Sequence, residues 1–226
     1  MENQLVHVVN RGVDRRTIFF DDKDFLRFIY NLLEFNDKEW ISNSSYHFGK
    51  RIIDFASRYK EDAQPVVVVH AFSIMPNHYH LLLSPKIENG VSIFMRKINM
   101  GYAKYFNARY ERTGTLFEGR YKSIIINNDN HLTYIPYYIH MNPLDLFMPT
   151  WREGVVSDTR SAIKFLEKYR WSSFLDYVDI KNFPSVISKN FLTQIIGSAD
   201  EYRKNTEDWL SSMNNKRASD SSIHLE

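Results

Sequence analysis

Two histidines stand one residue apart in the stretch MPNHYHLLL, as His78 and His80. Side chains on a strand alternate between its faces, so this spacing aims both imidazoles one way and Tyr79 and Leu81 the other. Two neighbouring imidazoles can bind one divalent cation, and so small a ligand set leaves positions open for substrate. The tripeptide is also what a partly exposed strand end can carry by chance, so alone it does not decide the chemistry. A second group lies in YYIHMN, where Tyr138 and Asn142 share a helix face at i and i+4. A phenol is a weak nucleophile at neutral pH, but beside a metal-polarised phosphodiester it can attack phosphorus and form a phosphotyrosine. The Asn142 oxygen is a hard donor suited to be a third ligand of the same cation. Tyr134, Tyr137 and Tyr138 read equally well as packing residues of an amphipathic helix.

A third feature is charge. Arg96, Lys97, Lys104, Arg109, Arg112, Arg120 and Lys122 face only Glu111 and Glu118 in the same stretch, with Tyr102, Tyr105, Phe106, Tyr110, Phe117 and Tyr121 interleaved. Cations that hold phosphates, mixed with rings that stack on bases, suit single-stranded nucleic acid. A solvated helix face is the alternative. Arg11, Arg15 and Arg16 form a second basic cluster around Gly12.

The elements that must position these groups follow from the hydrophobic pattern. Residues 4–11 read as a strand, and Phe25, Phe28, Ile29, Leu32 and Leu33 mark a helix opened by acidic residues. PVVVVHAFSIM and HYHLLLS flank the turn signal Pro76-Asn77, so residues 65–84 form a hairpin. The longest helical pattern runs from about residue 90 to Gly114, and GRYKSIIINN is a further strand. A short helix carries Tyr138. Pro136 is harmless in the first turn of a helix capped near Thr133 but would kink a helix begun earlier. Helical geometry turns Tyr137 away from Tyr138, and His140 is expected at the surface, away from the cation.

Strand, helix, two strands, helix, strand, helix is the order of an α+β, ferredoxin-like split βαβ fold. It is expected to have an antiparallel sheet with helices on one face and a C-terminal helical extension. Residues 1–145 are expected to form the catalytic unit, with an insertion at about 37–64. Residues 146–212 read as a helical accessory region and 213–226 as a disordered tail.

Composition excludes other chemistries. The 226 residues contain no cysteine, so a disulfide framework or a thiolate metal site is ruled out. No glycine-rich phosphate loop, nucleophile elbow or HExxH motif appears. No window approaches a membrane span, which together with the missing cysteine suits a cytoplasmic, nucleoid-associated protein. The net charge of +2 is uninformative about nucleic acid.

Taken in order, HVVNRGVDRRTIF, AFSIMPNHYHLLL, YAKYFNARYERTGTLFEGRYKS, YYIHMNP and YRWSSFLDY resemble the single-tyrosine HUH transposases, in particular the REP-associated tyrosine transposase branch. The resemblance spans most of residues 5–178. It implies that His78 and His80 bind Mg²⁺ or Mn²⁺, that Asn142 is a third ligand and that Tyr138 is the nucleophile. It further implies cleavage and rejoining of single-stranded DNA near imperfect hairpins, through a 5′-phosphotyrosine and a free 3′-hydroxyl. The protein would act as a monomer or a homodimer, with the tyrosine helix serving its own subunit or the other. Two rivals remain at this point: a domesticated hairpin-DNA-binding protein that does not cut, and a nuclease in which metal-bound water attacks.

Overall fold

The computed structural model describes residues 4–38 and 64–219, with side chains through residue 213. The expected insertion falls largely outside these residues, as does the end of the tail. Four strands form one antiparallel sheet: β1 (Leu5–Arg11), β2 (Val67–Met75), β3 (His78–Pro85) and β4 (Lys122–Ile126). Their spatial order is β2-β3-β1-β4. Helices α1 (Asp22–Glu34) and α2 (Gly90–Arg109) connect them in the expected βαββαβ sequence.

Local chemistry sets these elements. Asp21 caps α1 by accepting from the backbone N–H groups of Lys23 and Asp24, which also places negative charge at the positive end of the helix. The apolar stripe Phe25, Phe28, Ile29 and Leu32 is buried against the sheet. On β3, Tyr79, Leu81 and Leu83 join that same core, together with Val6 and Val8 of β1 and Phe94, Ile98 and Tyr102 of α2. Alternation then sends His80 and Leu82 to the opposite face.

That opposite face corrects one expectation. It was expected to be open, with all helices on the other side. Instead Leu5, Ala71 and Leu82 of the sheet pack against Ile135 and Ile139 of α3 (Asp129–Met141) and against the C-terminal segment. Trp151, Ile163, Phe174, Leu192, Tyr202 and Leu210 supply that second core, so the C-terminal region is a packed layer of the fold. Its helices are α4 (Thr159–Leu166), α5 (Phe174–Tyr177), α6 (Asn190–Ile196) and α7 (Ala199–Ser219). α7 thus extends past residue 213, where a tail was expected. Residues 171–173 also pair with the outer edge of β2, through Ile74 N–H to the Trp171 carbonyl and Ser173 N–H to the Phe72 carbonyl.

Of the two starts left open for the tyrosine helix, the structure has the earlier one. Asn128, whose side chain accepts from His131 N–H, is its N-cap, and Thr133 lies inside it. Pro136 therefore sits in the helix interior, where it removes the N–H that would reach the Leu132 carbonyl. His140 points away from the site but is fully buried, against the surface position expected of it. Its Nδ1 and Nε2 lie 2.7 Å from the Tyr202 hydroxyl and 2.7 Å from Ser173 Oγ, partners that come from far along the chain.

Candidate active site

The register of the sheet gathers the site. His78 lies opposite Arg11 of β1 and Met75 of β2, and His80 lies opposite Val9 and Ser73. Directly opposed residues share a face, so Arg11, Val9, His78 and His80 all look toward α3. Lys122 joins that face across Val9 from the edge strand β4. Beside this end of the sheet, β1 runs into a tight basic loop. Gly12 is required there: a Cβ would meet the Arg16 carbonyl oxygen at 2.5 Å and Ile18 Cγ2 at 2.7 Å. Asp14 and Arg15 both adopt left-handed backbone with φ of 56°, a conformation non-glycine residues take at a cost of about 1 kcal/mol each. The loop is tied to the β2–β3 turn by Gly12 N–H to the Asn77 carbonyl, 2.8 Å, and by Asn77 Nδ2 to the Arg15 carbonyl, 3.1 Å.

A cavity of about 340 Å³ opens here, lined by Val9, Arg11, Arg15, Asn77, His78, His80, Tyr138, Asn142 and Arg152. The sequence-expected nucleophile, both histidines and the asparagine therefore meet at one place in one chain. The Tyr138 ring stands edge-on to His80 with centroids 5.7 Å apart, and to His7 at 5.8 Å. Tyr137, its neighbour, is buried against Tyr202 and Trp209 on another side of α3.

The imidazoles are held neutral. Burial lowers the pKa of His78 to about 4, with the Asp145 carboxylate opposing and Arg152 and Arg11 assisting. Burial also lowers His7 to about 4 and holds His80 well below its ordinary value. Neutral imidazole is the form that binds metal. His78 Nδ1 lies 2.6 Å from Asn77 Oδ1, an oxygen that can only accept, so the proton sits on Nδ1 and the Nε2 lone pair is left free. His80 Nδ1 lies 2.9 Å from His7 Nε2. With His80 donating across that contact, its Nε2 is free as well. This oriented pair fits a divalent cation, in the manner of metal-site histidines whose second nitrogen is tied down. Among the described residues no third His, Cys, Asp or Glu completes a cluster with them.

Asn142 fits less simply. Its Nδ2 donates to the Tyr138 carbonyl at 2.6 Å, closing the end of α3, and its Oδ1 accepts from Arg152 Nη2 at 2.7 Å. The amide oxygen keeps a second lone pair, but any cation bound there would sit beside a guanidinium. Burial works against the Arg152 charge, and Asp145 outweighs it, holding the guanidinium above its ordinary value.

The basic residues divide. Arg11 and Arg15 line the cavity, and Arg11 is paired with Glu118. Arg16 approaches Asp14 at 3.8 Å beside the same loop. Lys122 and Arg120 are exposed near the open edge of the sheet. Arg96, Lys97, Lys104 and Arg109 belong to α2, which packs on the other face, so they do not meet the histidines. Lys97 is buried, with its ammonium donating to the Asp37 carbonyl. Arg109 bridges Asp21 and Asp24, and Arg112 donates to Asn107 Oδ1 at 3.0 Å. Tyr102, Tyr105, Phe106 and Phe117 are core residues, so most of the interleaved rings are structural.

Sequence reasoning missed His7, Asn77 and Arg152. Asn77 adjoins the histidine motif and was read only as a turn former. His7 and Arg152 reach the site through strand register and a distant turn, and neither is marked by local spacing.

Part of the chain is similar in sequence to a known family. Residues 43–142 match the family described as Transposase IS200 like. The match takes in less than half of the chain. It contains His78, His80, Tyr138 and Asn142, whereas His7 and Arg152 lie outside it. A solved structure titled "Structure of the REP associates tyrosine transposase bound to a REP hairpin" is similar at 14% identity and a TM-score of 0.46. The match covers 83% of this chain and 87% of that one. No curated protein matches. No helix among the described residues is long and apolar enough to cross a membrane.

Proposed function

We propose that the protein is a DNA strand transferase that nicks and rejoins single-stranded DNA, next to imperfect hairpins, through a covalent bond to Tyr138. The observation that carries this reading is the shared cavity. The Tyr138 ring stands against His80 of the same chain, which supports attack by a subunit's own tyrosine.

His78 and His80 would hold Mg²⁺ or Mn²⁺ through their Nε2 atoms, with Asn142 as a further oxygen donor. Such a cation supplies Lewis-acid polarisation of a phosphodiester. Tyr138 Oη forms a bond to phosphorus while the bond from phosphorus to the 3′-oxygen breaks. The phenol proton is released, and the departing 3′-oxygen takes one up to become a hydroxyl. Attack by a 3′-hydroxyl on the phosphotyrosine reverses these changes and rejoins a strand without an external energy source. Arg11, Arg15 and Lys122 offer the strand positive charge around the cavity.

The test is a set of labelled single-stranded oligonucleotides tiling the DNA around the gene, incubated with Mn²⁺, Mg²⁺ or chelator. Label that stays on the protein through denaturing electrophoresis, only with metal, is expected. Cut products with no attached label would establish attack by water instead. Tight hairpin binding with neither product nor adduct would establish a binding protein.

A further inference from the structure

The turn after α3 brings a further side chain to Tyr138 that the chemistry above does not use. Arg152 lies in the short 3-10 turn Pro149–Glu153, and its guanidinium carbon is 5.4 Å from the centre of the Tyr138 ring. It is built into place. Asp145 receives Arg152 Nε at 2.8 Å and Nη2 at 2.9 Å, and Asp145 is itself fixed by the indole N–H of the buried Trp151 at 2.7 Å. Nη2 also reaches Asn142 Oδ1. Nη1 is taken up by neither Asp145 nor Asn142, the guanidinium also lies within hydrogen-bond reach of the Tyr138 side chain, and Arg152 lines the cavity. A surface arginine with a free choice of rotamers would show none of this anchoring. A donor held in advance next to a nucleophile is the arrangement that stabilises charge as it develops in a transition state.

We propose that Arg152 is a catalytic residue that grips the non-bridging oxygens of the scissile phosphate through Nη1 while Tyr138 attacks. Asp145 and Trp151 act as its positioning residues. The inference rests on Tyr138 being the nucleophile. Its ligand is a phosphodiester, and planar guanidinium donors suit phosphate oxygens better than an ammonium does. The role is electrostatic and needs no proton transfer by Arg152. The bond that forms and the bond that breaks are those given above.

The experiment begins with wild-type protein, whose metal-dependent adduct identifies the scissile phosphate. Absence of any adduct removes the proposed function itself. With an adduct in hand, Arg152→Ala is expected to slow its formation about 100-fold or more. A second measurement separates phosphate contact from general damage to the site. In a Tyr138→Phe background with chelator, binding is compared for two oligonucleotides that differ only at the scissile position, phosphodiester against uncharged methylphosphonate. Arg152→Ala is expected to weaken the phosphodiester oligonucleotide about tenfold and to leave the methylphosphonate one unchanged. An adduct rate within threefold of wild type, or equal weakening of both oligonucleotides, would overturn the assignment to Arg152 and leave Tyr138 untouched.

Discussion

His7 lies edge to edge with His80 in nearly one plane, with ring centroids 5.2 Å apart, planes within 9° of parallel, and Nε2 facing Nδ1 across 2.9 Å. The contact is buried, and it fixes which nitrogen of His80 can face the cavity. Hydrogen-bonded partners of metal-bound imidazoles are typically worth about 10–100-fold in metal affinity. His7→Phe keeps a flat ring at that position and removes the nitrogen that faces His80. The expected outcome is a loss of Mn²⁺ affinity in that range by calorimetric titration, with hairpin binding in chelator unchanged. Unchanged Mn²⁺ affinity would mean that His7 serves only to pack.

The adjacent tyrosines give a second test. Tyr138 faces the cavity and Tyr137 is buried against Tyr202 and Trp209. Tyr138→Phe is expected to abolish the protein–DNA adduct while binding stays within about threefold, because only the attacking oxygen is removed. Tyr137→Phe should retain the adduct. An adduct that survives the first change and is lost in the second would reassign the nucleophile.

Local signals in the sequence reached the strands, α1, α2 and the pairing of His78 with His80, because alternation and helical spacing are short-range properties. That Tyr138 and Asn142 share a helix face was legible for the same reason, whereas the roles expected of them came from the family resemblance. What escaped depends on register and on distant packing. His7 meets His80 only because β1 pairs with β3 in one register, and a shift by one residue would turn it to the other core. Burial of His140 depends on Ser173 and Tyr202, which arrive from the C-terminal layer. The basic-aromatic pattern of α2 misled for a related reason: an amphipathic helix places cations and rings in the same interleaved order whether its rings meet bases or a core.

Arg109 shows how that pattern can be separated experimentally. Asp24 is fully buried and accepts from Phe20 N–H, Tyr105 Oη and Tyr110 Oη, each at 2.8 Å, as well as from Arg109. Removing the cation leaves a buried carboxylate short of its partner, which costs about 3 kcal/mol in comparable pairs. Arg109→Ala is therefore expected to lower the urea midpoint clearly. Lys104→Ala, at an exposed position, should leave it within about 0.5 kcal/mol of the parent. Equal, small effects on stability would return Arg109 to the set of candidate DNA contacts.

Acid stability tests the buried histidines as a group. Burial holds His140 neutral down to about pH 3 and His70 down to about pH 4, whereas both protonate near 6.5 in the unfolded chain. Between those values the unfolded state binds more protons than the folded one, so stability falls as pH drops from about 6.5 toward 4. Above about pH 7 both states are neutral at these residues, and the curve should be flat with respect to them. Urea midpoints measured from pH 8 to 4.5 are expected to show that decline. His140→Phe fills the same buried space without a titrating group and should make the decline shallower, although losing the contacts to Tyr202 and Ser173 lowers the whole curve. A variant whose midpoint falls with the same slope as wild type would show that His140 does not contribute to the acid sensitivity of the fold.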